Sequence, residues 1–313
     1  MLKLIQNEWM KLWHKKGTWA MVAMLILVIL VPAGITKYYE VKSPTEGSWQ
    51  DIEQEAIQSY KERLAGEDLT EEDKAYFQEQ MAISEYRLAN DAPSQKDSSL
   101  VSFMSFTSGM LTLVTLFTVI TAASIVSSEF STGTIKMLLT RPMSRAKVLT
   151  SKLLTTFLFG LLLYVVNVVV SALVGLVLFG MGTGVELEIV NEQVVEKGVW
   201  GDLAYHYLLS GGDFVMSTLF AFLIGSVFRS SSLAIGLTMF LSFTGGMIVM
   251  FLSRYDIVKY IWLTHSDLTQ YEHGGGSIIA DVTMPFSLTV LAIYALVFLV
   301  ISYSTFMKRD VTA

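Results

Sequence analysis

Residues capable of chemistry are sparse in this chain, and the few that stand out do not assemble into a catalytic site. His273-Gly274-Gly275-Gly276 matches the oxyanion-hole sequence of some esterases. That chemistry needs a serine on a GxSxG elbow, the chain has none, and we read the stretch as a turn. The four histidines, His14, His206, His265 and His273, form no HExxH motif and no pair at ligand spacing on a helix, so no metal site is expected. No GxxxxGK run followed by Ser or Thr occurs, which excludes nucleotide binding through a P-loop, so any ATP-driven function must take its ATPase from another subunit. Without cysteine, disulfides and thiolate metal sites are excluded. Asp213 is the one carboxylate that an apolar segment could carry into a membrane, where ionisable groups are costly and tend to be functional. If its helix starts near Leu203, Asp213 lies near mid-membrane; if the helix starts at Gly212, it is an N-cap. Both readings stay open, with the cap preferred.

The elements that must hold these residues are set by composition. Of 313 residues, 52% are hydrophobic and only 16% charged, where a soluble domain carries about 25% charged residues. Mean hydropathy is +0.52, and the apolar residues are gathered in long blocks of the length that a ~30 Å hydrocarbon layer demands of a helix. Net charge is −6, which argues against a nucleic-acid partner. The first apolar block follows a basic, aromatic lead-in, Trp9 to Lys16, and ends without a small-residue cleavage site, so no cleavable signal peptide is expected.

An all-α polytopic membrane protein with six spans follows, since lipid offers the backbone no hydrogen-bond partner and no barrel-like alternation is present. The expected layout is an interfacial helix over 1–18 and spans at 19–36, 98–128, 148–181, 205–228, 230–252 and 285–307. Between them lie connections at 37–97, 129–147, 182–204 and 253–284, with a tail at 308–313. Lys3, Lys11, Lys15, Lys16, Lys136, Arg141, Arg145, Lys147, Lys152, Arg229, Lys308 and Arg309 all fall on one side, opposed there only by Glu8, Glu129 and Asp310. The positive-inside rule makes that side cytoplasmic, with both termini on it.

Local patterns add detail. Leu2, Ile5, Trp9, Leu12 and Trp13 share a helical face with lysines elsewhere, as expected of a helix lying on the inner leaflet, the alternative being a frayed basic tail. Pro32 is placed in the last turn of the first span. Residues 37–97 hold 15 acidic and 7 basic residues. Four-residue repeats (Ile52, Ala56, Tyr60, Leu64; then Phe77, Met81, Glu85, Ala89) and an N-cap signal at Thr70 and Asp73 suggest an acidic extracellular helical hairpin rather than a loose helical spacer. In Tyr255–Leu268, the residues Ile257, Tyr260, Ile261 and Leu268 suggest a helix on the outer leaflet. Ala234, Thr238, Ser242 and Gly246 recur every four residues on the fifth span as a candidate helix-packing face.

The most informative stretch is Ser127-Ser128-Glu129-Phe130-Ser131-Thr132-Gly133-Thr134-Ile135-Lys136-Met137-Leu138-Leu139-Thr140-Arg141-Pro142-Met143-Ser144-Arg145, followed by Lys152. Thr132 and Gly133 can turn the chain, and Ile135, Leu138 and Leu139 then form one face of a short helix beside Lys136 and Arg141, which Pro142 stops. Such a helix beneath the membrane suits a groove on a soluble partner, the plainer alternative being a basic turn that only sets topology.

This stretch resembles the signature of type-2 ABC exporter permeases: an acidic residue, a Gly-Thr pair, a short amphipathic helix, Pro-x-Ser-Arg and a lysine opening the next span. Asn7-Glu8-Trp9-Met10-Lys11 is similar to the same family's N-terminal interfacial helix. The large acidic first outer loop departs from the pattern. The resemblance implies a bacterial plasma-membrane permease subunit that pairs with a second permease, identical or sister, and with separate ATPase subunits that bind ATP and Mg. It also implies that Glu129, Thr132, Gly133, Thr134, Ile135, Lys136, Leu138, Leu139, Arg141, Pro142 and Arg145 contact the ATPase, while Glu8, Trp9, Lys11 and Trp13 on the interfacial helix help to hold that contact. The chain itself then binds no cofactor and is not an enzyme, and its remaining partner is membrane lipid. A carrier driven by an ion gradient, with Asp213 as its intramembrane carboxylate, is the alternative.

Overall fold

The computed structural model describes residues 1–42, 48–66, 69–94, 99–131, 144–182, 185–190, 193–196, 198–277 and 279–308. The chain is mostly helical (84%) and has six helices long and apolar enough to cross a membrane, the architecture of a polytopic α-helical membrane protein. In order, the helices are α1 (Leu2–Trp13), α2 (Lys16–Lys42), α3 (Trp49–Leu64), α4 (Glu71–Asn90), α5 (Leu100–Ser108) and α6 (Leu111–Ser131). They continue with α7 (Arg145–Phe179), α8 (Val199–Phe228), α9 (Ser231–Leu252), the single turn α10 (Leu263–Ser266) and α11 (Met284–Lys308). The candidate spans are α2, α5 with α6, α7, α8, α9 and α11. The most apolar stretches of the α5–α6 span and of α8 are 61% buried, against 17–22% in the other four. Exposed leucines, valines and phenylalanines such as Leu158, Val169, Phe243 and Leu296 therefore cover those four, as lipid-facing helices require.

Two compact units divide the chain. The first comprises Met1–Val28, Ser108–Val168 and Tyr205–Ala313. Its core includes Val119, Ala122 and Val126 of α6, Leu149 of α7, Leu219 and Phe222 of α8, and Phe298 of α11. Trp262 folds back from the 253–283 connection into this core, against Phe220 and Phe298.

The second unit comprises Ile29–Thr107 and Val169–Ala204. Here α3 and α4 pack on each other, with Tyr60 stacked on Phe77 and the Arg63 guanidinium over the Phe77 ring. Each of the two helices opens on a capping box, Ser48 with Asp51 and Thr70 with Asp73. Buried Arg87 joins Glu53 (3.6 Å) and donates to the Val185 carbonyl (2.9 Å), so the 37–97 segment is tied to the later connection. That connection forms an antiparallel two-stranded hairpin, β1 (Leu187–Val190) and β2 (Gln193–Glu196), where no regular element was expected.

Three expectations change. Pro32 does not end the first span: α2 runs on to Lys42, because one missing donor leaves the rest of the ladder intact. The fourth span starts earlier, at Val199, and Asp213 lies in its interior, which rules out the cap reading. Gly211-Gly212 does not break this helix. A Cβ on Gly212 would lie 2.9 Å from Leu268 and 3.0 Å from the Ser266 carbonyl, so the glycine serves close packing against the 266–268 turn. Finally, Tyr255–Leu268 is not one helix but a 3-10 turn at Asp256–Tyr260 followed by α10. Ile257 and Tyr260 are exposed, whereas Val258, Trp262, Thr264, His265 and Leu268 are buried.

His265 holds this connection in place. Its Nε2–H donates to the Lys259 carbonyl (2.9 Å), so in the neutral ring Nδ1 accepts from the Ser287 hydroxyl (2.7 Å) and Ser287 Oγ accepts from Tyr271 (2.6 Å). His265 and Ser287 are both fully buried, which leaves no room for a substrate and makes the trio structural. Burial pushes the imidazole below its ordinary 6.5, and the Lys259 carbonyl offsets only part of this. A depressed histidine contributes stability that is complete above the unfolded value and is lost as pH falls through the folded one. The thermal unfolding midpoint should therefore drop between about pH 7.5 and about pH 5, the range over which histidine titrates. In His265→Gln the drop should shrink; equal drops in the two proteins would remove His265 as the cause.

Candidate functional site

The strongest concentration of interacting charge lies at one end of the first unit. The second half of α1 carries Glu8 and Lys11 one turn apart, the end of α6 carries Glu129, and the second turn of α7 carries Lys152. Lys152 Nζ donates to Glu8 Oε2 at 2.8 Å and to Glu129 Oε1 at 2.9 Å. Lys11 Nζ donates to Glu8 Oε1 and Glu129 Oε1, both at 3.1 Å. Two carboxylates and two ammonium groups thus close a neutral ring joining three helices.

Lys152 is 1% exposed, and Glu8 and Glu129 are also buried. An ammonium group taken out of water costs several kcal/mol unless paired, and the two carboxylates supply that pairing. Burial lowers the proton affinity of Lys11, but the Glu8 charge and the hydrogen bonds to Glu8 and Glu129 outweigh it, leaving its pKa above 10.5. The contribution of Lys11 is therefore full through neutral pH and fades only as pH rises through that raised value. The amphipathic reading of α1 is partly inverted: Glu8 is buried and Leu2 is exposed, because Lys152 draws the carboxylate inward. Beyond α1, the Thr18 hydroxyl donates to the Leu12 carbonyl and the Trp19 indole to that of Trp13 (2.6 and 3.1 Å), fixing the corner into α2. Trp9 and Trp13 meet edge to face beside it.

Other segments meet at the same end. Arg145 donates to the Met307 carbonyl of α11 (3.1 Å), Arg229 lies over the Phe130 ring at 4.5 Å, and Phe130 meets Phe306. Thr132, Gly133, Thr134, Ile135, Lys136, Leu138, Leu139, Arg141 and Pro142 lie outside the described residues, and with them the expected short helix. The residues flanking that stretch, Glu129 and Arg145, are both in this assembly.

The small-residue face of α9 divides. Ala234 and Thr238 are fully buried, with Ala234 in a cluster with Ala123 of α6 and Ile224 of α8. Ser242 touches Ser217 of α8 at 3.4 Å, and Ser217 donates to Asp213 at 3.0 Å. Gly246 does not belong to the face: it is exposed and has no neighbour within 4 Å of a Cβ position, whereas Gly245 packs on Leu263. The 3.6-residue turn rotates a strict four-residue series off the contact line after three turns.

The role of Lys152 was missed, although a single lysine inside an apolar run was a signal, as was Glu8 between Asn7 and Trp9. Among the described residues, no group of three or more His, Asp and Glu side chains could hold a metal ion. What the ring can do is fasten α1 to the ends of α6 and α7.

A family model described as "Protein of unknown function (DUF2705)" matches residues 72–312. The chain is similar to "Uncharacterized protein YhcI" of Bacillus subtilis (strain 168), 36% identical over 316 residues, covering 99% of this chain and 99% of that protein. It is also similar to "Uncharacterized membrane protein YdbK" of the same strain, 30% identical over 241 residues, covering 76% of this chain and 93% of that one.

Proposed function

The chain belongs to the DUF2705 family, and we propose that it is the membrane-spanning permease subunit of a type-2 ABC exporter, coupled to a separate ATPase. The observation that carries this reading is the meeting of two motif fragments more than a hundred residues apart. The N-terminal Asn7–Lys11 resemblance and the Glu129–Lys152 resemblance join through the ionic ring of Glu8, Lys11, Glu129 and Lys152. In this reading the end bearing the ring faces the cytoplasm, with both termini, and α1 lies on the inner leaflet of the plasma membrane. The 129–147 segment docks on the ATPase as a coupling helix, and α3 and α4 stand outside as the acidic hairpin. Two permease subunits enclose the path, and ATP and Mg are bound by the partner ATPases, so this chain is not itself an enzyme.

A P-loop ATPase should co-purify with the tagged chain from membranes, and Gly133→Trp should release it while the chain stays folded. Recovery of the chain with no ATPase, together with transport indifferent to Glu129 and Gly133 replacements, would overturn the proposal.

The position of Asp213 inside α8, bonded to Ser217, favours a second reading as a carrier driven by an ion gradient. Transport that survives ATP depletion, collapses with the ion gradient and is abolished by Asp213→Asn would select it.

A further inference from the structure

A cavity of about 600 Å³ opens beside the ionic ring, lined by the end of α1, the start of α2 and α6. Its charges do not cancel. The lining carries Glu8, Glu129, Lys11 and Lys15, and Lys152, which is not on the lining, pairs with both carboxylates; two carboxylates thus meet three ammonium groups, and exposed Lys15 makes no ion pair among the described residues. The site therefore carries one surplus positive charge, on an exposed side chain. The lining also holds the apolar side chains of Leu12 and Met21 from α1 and α2 and of Ile120 and Ile125 from α6, beside the hydroxyls of Thr18, Thr121, Ser124 and Ser128. The junction of α1 and α2 is marked by Trp13 and Trp19, whose rings lie 4.9 Å apart, the aromatic pattern of a headgroup boundary.

We infer that this cavity seats one anionic glycerophospholipid, with its phosphate on Lys15 and an acyl chain along Met21, Ile120 and Ile125. A soluble anion would leave the apolar wall empty, and a zwitterionic lipid would leave the surplus charge of Lys15 unmatched. Lys11, on the same lining, has a third N–H beyond the two that bind Glu8 and Glu129. The lipid site stands on charge and shape alone, whether or not an ATPase is the partner.

The test uses the full chain, delipidated in detergent, with native mass spectrometry after addition of phosphatidylglycerol or phosphatidylcholine of identical chains. Phosphatidylglycerol should be retained preferentially. Lys15→Gln should weaken its retention about five-fold, the effect of one basic residue at an anionic surface. Ser124→Trp, which fills the cavity from α6, should abolish it, and Ile120→Trp serves if that variant does not fold. Equal retention of the two lipids, or indifference to both the charge and the filling variants, would overturn the inference. So would equal protection by glycerol 3-phosphate alone, which would make the ligand a free phosphate. Disulfide dimers through Ser124→Cys would instead make the occupant a second copy of the chain, which also overturns it.

Discussion

Lys152→Met should cost about 3–5 kcal/mol of stability, the penalty for removing one partner from a buried ion pair. The side chain is 1% exposed and binds two carboxylates, at 2.8 and 2.9 Å. Methionine fills much the same space but leaves Glu8 and Glu129 facing each other with only Lys11, itself partly in solvent, between them. The expected result is a collapse of monodisperse yield on size exclusion and a much lower unfolding midpoint in detergent. Adding Glu129→Gln restores charge balance, so the double variant should unfold above Lys152→Met alone, with a coupling of about 0.5–3 kcal/mol in the double-mutant cycle. Additive effects would show that the four groups do not act as a ring.

Gly225→Ala should destabilise by about 1–3 kcal/mol, as overpacking does. Its Cβ would fall 2.7 Å from the Ala123 carbonyl oxygen and 3.1 Å from Ala123 Cα. These are backbone atoms of α6, so no side chain can swing aside and the two helices must part. Gly236→Ala makes the same chemical change on α9, where nothing lies within 4 Å. It should be neutral or gain up to ~1 kcal/mol from helix propensity. Opposite signs for two identical substitutions, read as unfolding midpoints in one detergent, isolate the helix contact as the cause. A Gly225→Ala protein as stable as the parent would refute the close approach.

The span helices were legible because lipid leaves the backbone a single solution, and apolar length then dictates where helices lie. The Thr70–Asp73 capping box was legible because both partners sit within one turn. Asp213 was not, since Gly211-Gly212 signals a helix start when read locally. Only the tertiary contact of Gly212 with Leu268 reveals the glycine as a packing device inside a continuous helix. Arg87 was equally hidden. Its partners Glu53 and the Val185 carbonyl come from two connections that a linear reading treats separately. Glu8, Lys11, Glu129 and Lys152 were each visible as residues, but their sharing of one site depends on how α1 folds back, which no periodicity encodes.

The ring also imposes an order on folding. Glu8 and Lys152 are 144 positions apart, and Lys11 and Glu129 are 118 apart. At a synthesis rate of ~5–20 residues per second, Lys152 is made roughly 7 to 29 seconds after Glu8. During that wait α1 has its own Glu8–Lys11 pair, the corner bonds from Thr18 and Trp19 and the membrane surface to hold it. A helix made well before α6 and α7 is thus locked only after them, and its final placement reports that both have already been inserted.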